Sequence, residues 1–320
     1  MKIAIVGVPG WSERLRAKLG DGADIVEVDP SEGEQLARVL ADADVVISGR
    51  FNARTAALCH SLKLLICPWA GTENIDRSAL PPGVKFTNAG GTEEPIAEHV
   101  IAVLVALRRR LLDADRKLRD GIWAYGFWGG ALVEEVLGST LGLLGYGRIG
   151  REVVKRAAPF GVRCRALTLH PERVATSDAA CEVGALADPA SVDALVAWSD
   201  AFVICCELSD LTRGMLDGRR LGLMKPNAVV INVARAPIVV ERELYETLRD
   251  KRIAGAALDV WYQYPKAAGE RAAPSAFPFG ELDNVIMTPH YSGWTAAALE
   301  RRLEGIARTI RSFATASSSA

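Results

Sequence analysis

Histidine is scarce in this chain, with four copies in 320 residues, and no two of its six cysteines are spaced as C-x-x-C. Without that spacing there is neither a zinc-ligand set nor a disulfide framework to read, and no metal is expected. Cys59, Cys67, Cys164, Cys181, Cys205 and Cys206 sit mostly in apolar runs, where reduced, buried thiols are expected. An excess of either charge is also missing. Lys and Arg number 38 against 39 Asp and Glu, a net charge of −1. That balance gives no global attraction for nucleic acid or an anionic membrane, so neither is an expected partner. No uncharged run of 18 apolar residues occurs, which excludes a membrane-spanning helix. The opening Met1–Gly7 is too short and too soon interrupted for a secretory signal. A cytoplasmic location is the expectation.

What the chain does have is hydrophobic residues, 49% of the total, in short runs that alternate with longer helical patterns. That alternation is the mark of α/β structure with parallel sheets, and the length suits two domains. Ile3–Val6, Asp24–Val28, Val45–Ser48, Leu64–Cys67 and Lys85–Thr87 read as strands of a first unit over about residues 1–95, with helices at Ser12–Leu19 and Glu34–Ala41. One long helix follows, Pro95 in its first turn, apolar from Ile96 to Leu112 and charged through Arg119. Its breadth of apolar surface predicts a contact with another domain or subunit. A second series of strands falls at Ser139–Leu144, Arg163–Thr168, Ala201–Cys205, Ala228–Asn232, Ala256–Val260 and Val285–Thr288. A last helix, Ala296–Phe313, is placed to return to the first unit, and the small, polar tail Ala314–Ala320 is expected to be disordered.

Gly145-Tyr146-Gly147-Arg148-Ile149-Gly150 matches G-x-G-x-x-G between an apolar strand and a helix at Arg151–Ala158. In that context the pattern is a dinucleotide-binding turn. Gly145 permits the tight turn, Gly147 lets backbone amides approach a pyrophosphate, and Gly150 allows close packing of helix on strand. The acid that commonly binds the adenosine ribose of NAD is absent at the end of the next strand. Thr168 stands there, with His170 and Arg173 just beyond, so NAD and NADP both stay open.

Reduction of a 2-oxo acid needs a cation or amides for the carboxylate, a donor to the ketone and an acid for the new alkoxide. Arg235 and His290 each follow directly on a predicted strand, the edge at which open α/β sheets bind ligands. Arginine's fork suits a carboxylate, and imidazole titrates near neutrality. His99 reads as packed on the long helix and His60 as part of a surface turn.

From about residue 40 to 312 the chain resembles the D-isomer-specific 2-hydroxyacid dehydrogenases, relatives of phosphoglycerate dehydrogenase and glyoxylate/hydroxypyruvate reductase. The motifs that carry the likeness occur in order: Ala70–Asp76, Asn88 through His99, the glycine turn, Asn232–Arg235, Ala256–Val260 and Thr288–His290. The resemblance implies a Rossmann cofactor domain, residues 96–295, inserted in a flavodoxin-like substrate domain, residues 1–95 and 296–320. It implies that Arg235 binds the substrate carboxylate and carbonyl and that His290 is the acid in reduction and the base in oxidation. Trp69 and the amides of Ala70, Gly71 and Thr72 would hold the carboxylate. Asp259 would orient the nicotinamide carboxamide. Val233, Ala234, Cys206, Glu207 and Thr212 would line the cofactor, although the Cys206 side chain itself reads as core packing. A homodimer through the long helix is implied as well.

One departure stands out. The family carries a glutamate, hydrogen-bonded to the catalytic histidine, just before the proline that follows the Leu-Asp-Val strand. Here that place holds Tyr264, followed by Pro265. A phenol cannot stabilise imidazolium as a carboxylate does. His290 is therefore expected to titrate lower than in the family, and ketone reduction to slow as pH rises toward neutrality. Gln263 is the alternative orienting residue. Aromatics crowd the same region, Trp261, Tyr262, Tyr264, Tyr291 and Trp294, preceded by Trp123, Tyr125, Phe127 and Trp128. They read either as packing between domains or as a pocket for a substrate with a second anionic group, such as a phosphonate. Two further functions remain open at this stage: a dinucleotide-sensing corepressor, and a dehydrogenase of a small anion such as phosphite or formate.

Overall fold

The computed structural model describes residues 1–20, 22–126, 129–174, 180–266 and 269–318. The chain divides into two compact units, Met1–Thr92 with Trp294–Ala320, and Glu93–Gly293.

The first unit holds five parallel strands, β1 (Lys2–Val6), β2 (Asp24–Val28), β3 (Val45–Ser48), β4 (Leu64–Cys67) and β5 (Lys85–Asn88), in the order β2-β1-β3-β4-β5. That is the flavodoxin-like doubly wound order. β3 and β4 are buried along their whole length, as parallel strands covered on both faces must be. One face is covered by the helices Trp11–Leu19 and Ala296–Ser318. Leu303, Ile306, Ala307 and Ile310 recur at helical spacing and pack with Ile3, Ile5 and Leu15. The helix Gly33–Ala41 closes the other face through Val39 and Leu40.

The second unit holds seven parallel strands, β6 (Thr140–Leu144), β7 (Arg163–Thr168), β8 (Cys181–Ala185), β9 (Ala201–Ile204), β10 (Val229–Asn232), β11 (Gly255–Leu258) and β12 (Val285–Met287). Their order is β12-β11-β10-β9-β6-β7-β8, the Rossmann arrangement with one strand added. Because all are parallel, every strand's carboxyl end lies on one edge of the sheet.

Three sequence expectations are corrected. The edge strand β8 was not anticipated. Its sequence, Cys-Glu-Val-Gly-Ala, is half exposed and carries a glycine, so it offers neither a continuous apolar run nor a turn-bounded β-branched one. The long helix is two, Glu93–Arg108 and Leu111–Arg119, broken where Arg110 adopts a left-handed φ of 50°. Arg108 is buried and its guanidinium reaches Glu135 O, while the second helix is organised around the buried Asp113. The tail is not disordered through Ser318, where the last helix ends, since Ala314–Ser318 contains no glycine or proline to stop it. No helix among the described residues is long and apolar enough to cross a membrane, and no group of three or more His, Cys, Asp or Glu there could hold a metal ion. None of the six cysteines is in a disulfide. Burial pushes the Cys59 and Cys164 thiols up to about 11 and Cys206 up to about 12.

Candidate active site

The glycine turn leaves β6 at the carboxyl edge of the larger sheet. Gly145 has φ +115°, and a Cβ on it would lie 2.7 Å from the Cys206 amide nitrogen. A Cβ on Gly150 would meet Gly145 O at 2.6 Å. These two glycines are required by packing. Gly147 differs, because a Cβ there would meet nothing within 4 Å. It precedes the helix Arg148–Ala157, whose N-terminus has no side-chain cap. Open space before uncapped amides is what a pyrophosphate needs, so the residues present fit a dinucleotide. Tyr146 is buried under the Arg151 guanidinium, Ile149 is partly buried, and Arg148 pairs with Glu93 at 3.0 Å.

Next along the edge, Thr168 ends β7 and accepts the His170 amide at 3.4 Å. The cations just beyond it have an acid beside them: Glu172 lies 3.2 Å from His170 Nδ1 and 3.7 Å from Arg173 Nε. On the other side of β6, Cys206 and the exposed Glu207 follow β9. Thr212 is fully buried, donating to Glu207 O at 2.7 Å and accepting the Ser209 amide at 2.8 Å. It shapes that loop from beneath rather than presenting its side chain.

Arg235 follows β10 at the same edge. Asn232 clips the turn that carries it, donating to Arg235 O at 3.1 Å and accepting the Ala234 amide at 3.0 Å. Val233 and Ala234 are buried, and Arg235 Nη1 donates to Ala234 O at 2.7 Å. Asp259 follows β11 and is 1% exposed. Its carboxylate accepts from Thr288 Oγ1 at 2.7 Å and from the amides of Tyr291 at 3.0 Å and Ser292 at 3.1 Å. Those donors flank His290, which sits at φ +57°. Left-handed backbone is uncommon outside glycine, and Asp259 fastens both ends of the turn that imposes it. This clamp was not legible beforehand, since the motif marks Asp259 but not which amides it takes.

Tyr264, not Gln263, reaches the histidine. Its hydroxyl lies 3.0 Å from His290 Nδ1 and accepts the Trp261 amide at 3.1 Å. Gln263 is exposed, its amide donating to Pro274 O at 3.0 Å. Burial holds the Tyr264 hydroxyl above the usual phenol range against the opposing pull of the Trp261 amide and the Arg235 charge, so it stays protonated at neutral pH. The influence of Arg235 on Tyr264 and the contact of Tyr264 with His290 put guanidinium, phenol and imidazole in one neighbourhood. His99 joins it edge-on to Tyr291, ring centroids 5.6 Å apart. Burial lowers its pKa while the Asp259 charge opposes that.

The aromatics do not form a single wall. Trp261 is buried, with Nε1 donating to Thr288 O at 2.8 Å, and Tyr262 donates to Val239 O at 2.9 Å. Both build the turn. Tyr264 and Tyr291 are about half exposed. Tyr125 donates to Asp113 at 2.6 Å, while Trp123 and Trp294 are exposed. Phe127 and Trp128 lie outside the described residues. In the first unit, Trp69 lies against Gly49, where a Cβ would clash with its Nε1, and edge-on to Trp11, with the buried Arg302 guanidinium 4.9 Å from its ring. The carbonyls of Ala70, Gly71 and Thr72 are held by Asn88 Nδ2, Cys67 Sγ and the Ile75 amide.

A Rossmann sheet with a phosphate turn, an arginine and a held histidine on one edge defines a nicotinamide-dependent oxidoreductase of the α/β class. The model of the D-isomer specific 2-hydroxyacid dehydrogenase NAD binding domain matches residues 101–292. The chain belongs to that family. It is 32% identical over 289 residues to a glyoxylate reductase of Thermococcus onnurineus, covering 88% of this chain and 82% of that one. A D-3-phosphoglycerate dehydrogenase of Mycobacterium leprae is 31% identical over 92% of this chain, which spans 54% of that longer protein. An acyclic imino acid reductase solved with NADPH and D-Arg superimposes with a TM-score of 0.80 at 26% identity, covering 98% of this chain and 97% of that one.

Proposed function

We propose that the protein reduces small 2-oxo acids to D-2-hydroxy acids, and runs the reverse, with NADH or NADPH. The observation that carries this is the edge shared by the glycine turn, Arg235 and the Tyr264–His290 pair. When bound, the nicotinamide supplies or accepts the hydride. Gly145–Gly150 would hold its pyrophosphate, with Val233, Ala234, Cys206 and Glu207 alongside and Thr168 and His170 near the adenosine ribose. Neither cofactor is favoured by charge, because Glu172 offsets His170 and Arg173.

Arg235 would bind the substrate carboxylate through two nitrogens. Nδ1 of His290 meets the Tyr264 hydroxyl, and Nε2 would give or take the proton at the reacting oxygen. Asp259 would hold the turn and add its field near the carboxamide. A screen of 2-oxo acids, phosphonopyruvate included, with NADH and NADPH tests the reading by absorbance. Turnover should fall about 10²–10⁴-fold in His290→Ala. Cofactor binding without turnover of any acid would instead favour a sensor, and turnover of phosphite or formate alone a small-anion dehydrogenase.

A second electrophile is supported by one observation. A protein named as an acyclic imino acid reductase and solved with NADPH and D-Arg shares this fold, and Tyr264 stands where the resemblance places the family's glutamate. Self-association belongs to the same proposal. Leu111, Leu112, Leu118, Ile122, Trp123, Leu132 and Leu137 of the second unit are all more than half exposed, an apolar surface of the kind a second copy covers.

A further inference from the structure

We propose that Tyr264 determines which electrophile this site reduces, matching it to the protonated C=NH₂⁺ form of a 2-imino acid over the corresponding 2-oxo acid. This rests on the roles of Arg235 and His290 given above.

A ring nitrogen makes one in-plane hydrogen bond, and His290 Nδ1 makes it to a phenol. Ketone reduction places a hydride on C2 and leaves an alkoxide, which must gain a proton at that moment. The natural donor is imidazolium, and its usual support is a carboxylate at the other nitrogen. Tyr264 gives no such charge. Reduction of an iminium asks for something else. C2 gains the hydride supplied by a reduced nicotinamide, the C=N π pair becomes the nitrogen lone pair, and no proton need come from the protein. The amine then takes its proton from water.

What such a substrate needs from His290 is an acceptor for its N–H, and imidazolium there would repel it. The phenol suits that state. Its oxygen can accept Nδ1–H as it accepts the Trp261 amide, leaving the Nε2 lone pair toward the substrate nitrogen. The clamp keeps the ring in place through the backbone, because the Asp259 oxygens are engaged by Thr288, Tyr291 and Ser292. His99, on the far side of Tyr291, is held toward its neutral form by burial. Arg235 remains the cation for the carboxylate that both substrate types share.

The test supplies one carbon skeleton in both forms. Pyruvate is offered directly, and 2-iminopropionate is generated in situ from alanine by an amino-acid oxidase with catalase. Products are separated by chiral chromatography with NADH and with NADPH. The wild type should form alanine at least tenfold faster than lactate, and Tyr264→Glu should shift that ratio at least tenfold toward lactate. Tyr264→Phe keeps the ring's volume, loses the Nδ1 contact, and should slow both. In the protein without cofactor, the His290 Cε1–H resonance should titrate at lower pH in wild type than in Tyr264→Glu. Reduction of pyruvate with no reduction of the imine overturns the inference and leaves the dehydrogenase reading standing. An unchanged ratio or equal NMR midpoints in Tyr264→Glu also overturn it. Turnover of neither form sinks both readings.

Discussion

The three glycines of the phosphate turn show how single atoms divide stability from binding. Gly145→Ala and Gly150→Ala each drive a methyl into backbone, which should cost about 1–3 kcal/mol and lower Tm in differential scanning fluorimetry. Gly147→Ala has room, so its stability should stay within about 0.5 kcal/mol of the wild type and its Tm should hold. Its NADH affinity, read by fluorescence titration, should nonetheless fall. Equal Tm losses at all three would show that Gly147 is a packing residue too. Asp259 is the other decisive atom set. Asp259→Asn places an NH₂ where a backbone amide or the Thr288 hydroxyl must donate, leaving a buried donor unmet at about 1–3 kcal/mol. Chemical denaturation should show that loss together with reduced kcat. Residues of this kind were partly legible: the family resemblance put Tyr264 in the glutamate's place with Gln263 as the alternative, and of the two it is the Tyr264 hydroxyl that lies 3.0 Å from His290 Nδ1. Thr212 and Asp259 were marked by motif alone. What each touches depends on loops from separate strands, which no local pattern encodes.

Among the elements, eleven of the twelve strands in the described residues were legible, most plainly the buried ones such as Val45–Ser48 and Ala201–Ile204, which are near-continuous apolar runs. The edge strand β8 has water on part of its surface and lost that signal. The break at Arg110 escaped notice for a different reason: apolar periodicity runs straight through it, and the cause is tertiary. Asp113, 5% exposed, gathers Tyr125, Arg116 and Lys117 within 2.6–2.9 Å. Burial works to raise its carboxyl, but the Tyr125, Lys117 and Arg116 hydrogen bonds outweigh it and hold the pKa well below the usual carboxylate range. A depressed acid contributes its stability above the unfolded-state pKa of about 3.9 and loses it as pH falls below that value. Asp113→Asn should therefore lower Tm at pH 7 and flatten the Tm decline between about pH 4 and 2. An Asn variant with the wild-type acid profile would show that the helix Leu111–Arg119 is held by its apolar residues instead.

At the scale of the whole chain, the alternation of runs pointed to parallel α/β sheets, and the family resemblance implied the two doubly wound domains whose strand orders the structure shows. Part of the apolar surface that the sequence read in Ile96–Leu112 packs inside the second unit. Ile96, Val100, Val103 and Leu104 are buried there, and the exposed large hydrophobic side chains of this stretch begin at Leu111. Leu118→Glu with Trp123→Arg should shift a sedimenting dimer to the 34.4 kDa monomer while leaving far-UV circular dichroism unchanged. A wild type that sediments as a monomer at micromolar concentration would remove the need for a partner there.

The left-handed turn at His290 also bears on how such a protein can change. Among non-glycine residues, asparagine is one of the few that tolerates φ near +57°. A single drift from imidazole to carboxamide at this position would keep the loop, the glycine turn and the cofactor's cradle while abolishing proton transfer. The backbone thus leaves open a short evolutionary exit, in which a catalyst becomes a redox-state reader without first having to survive unfolding.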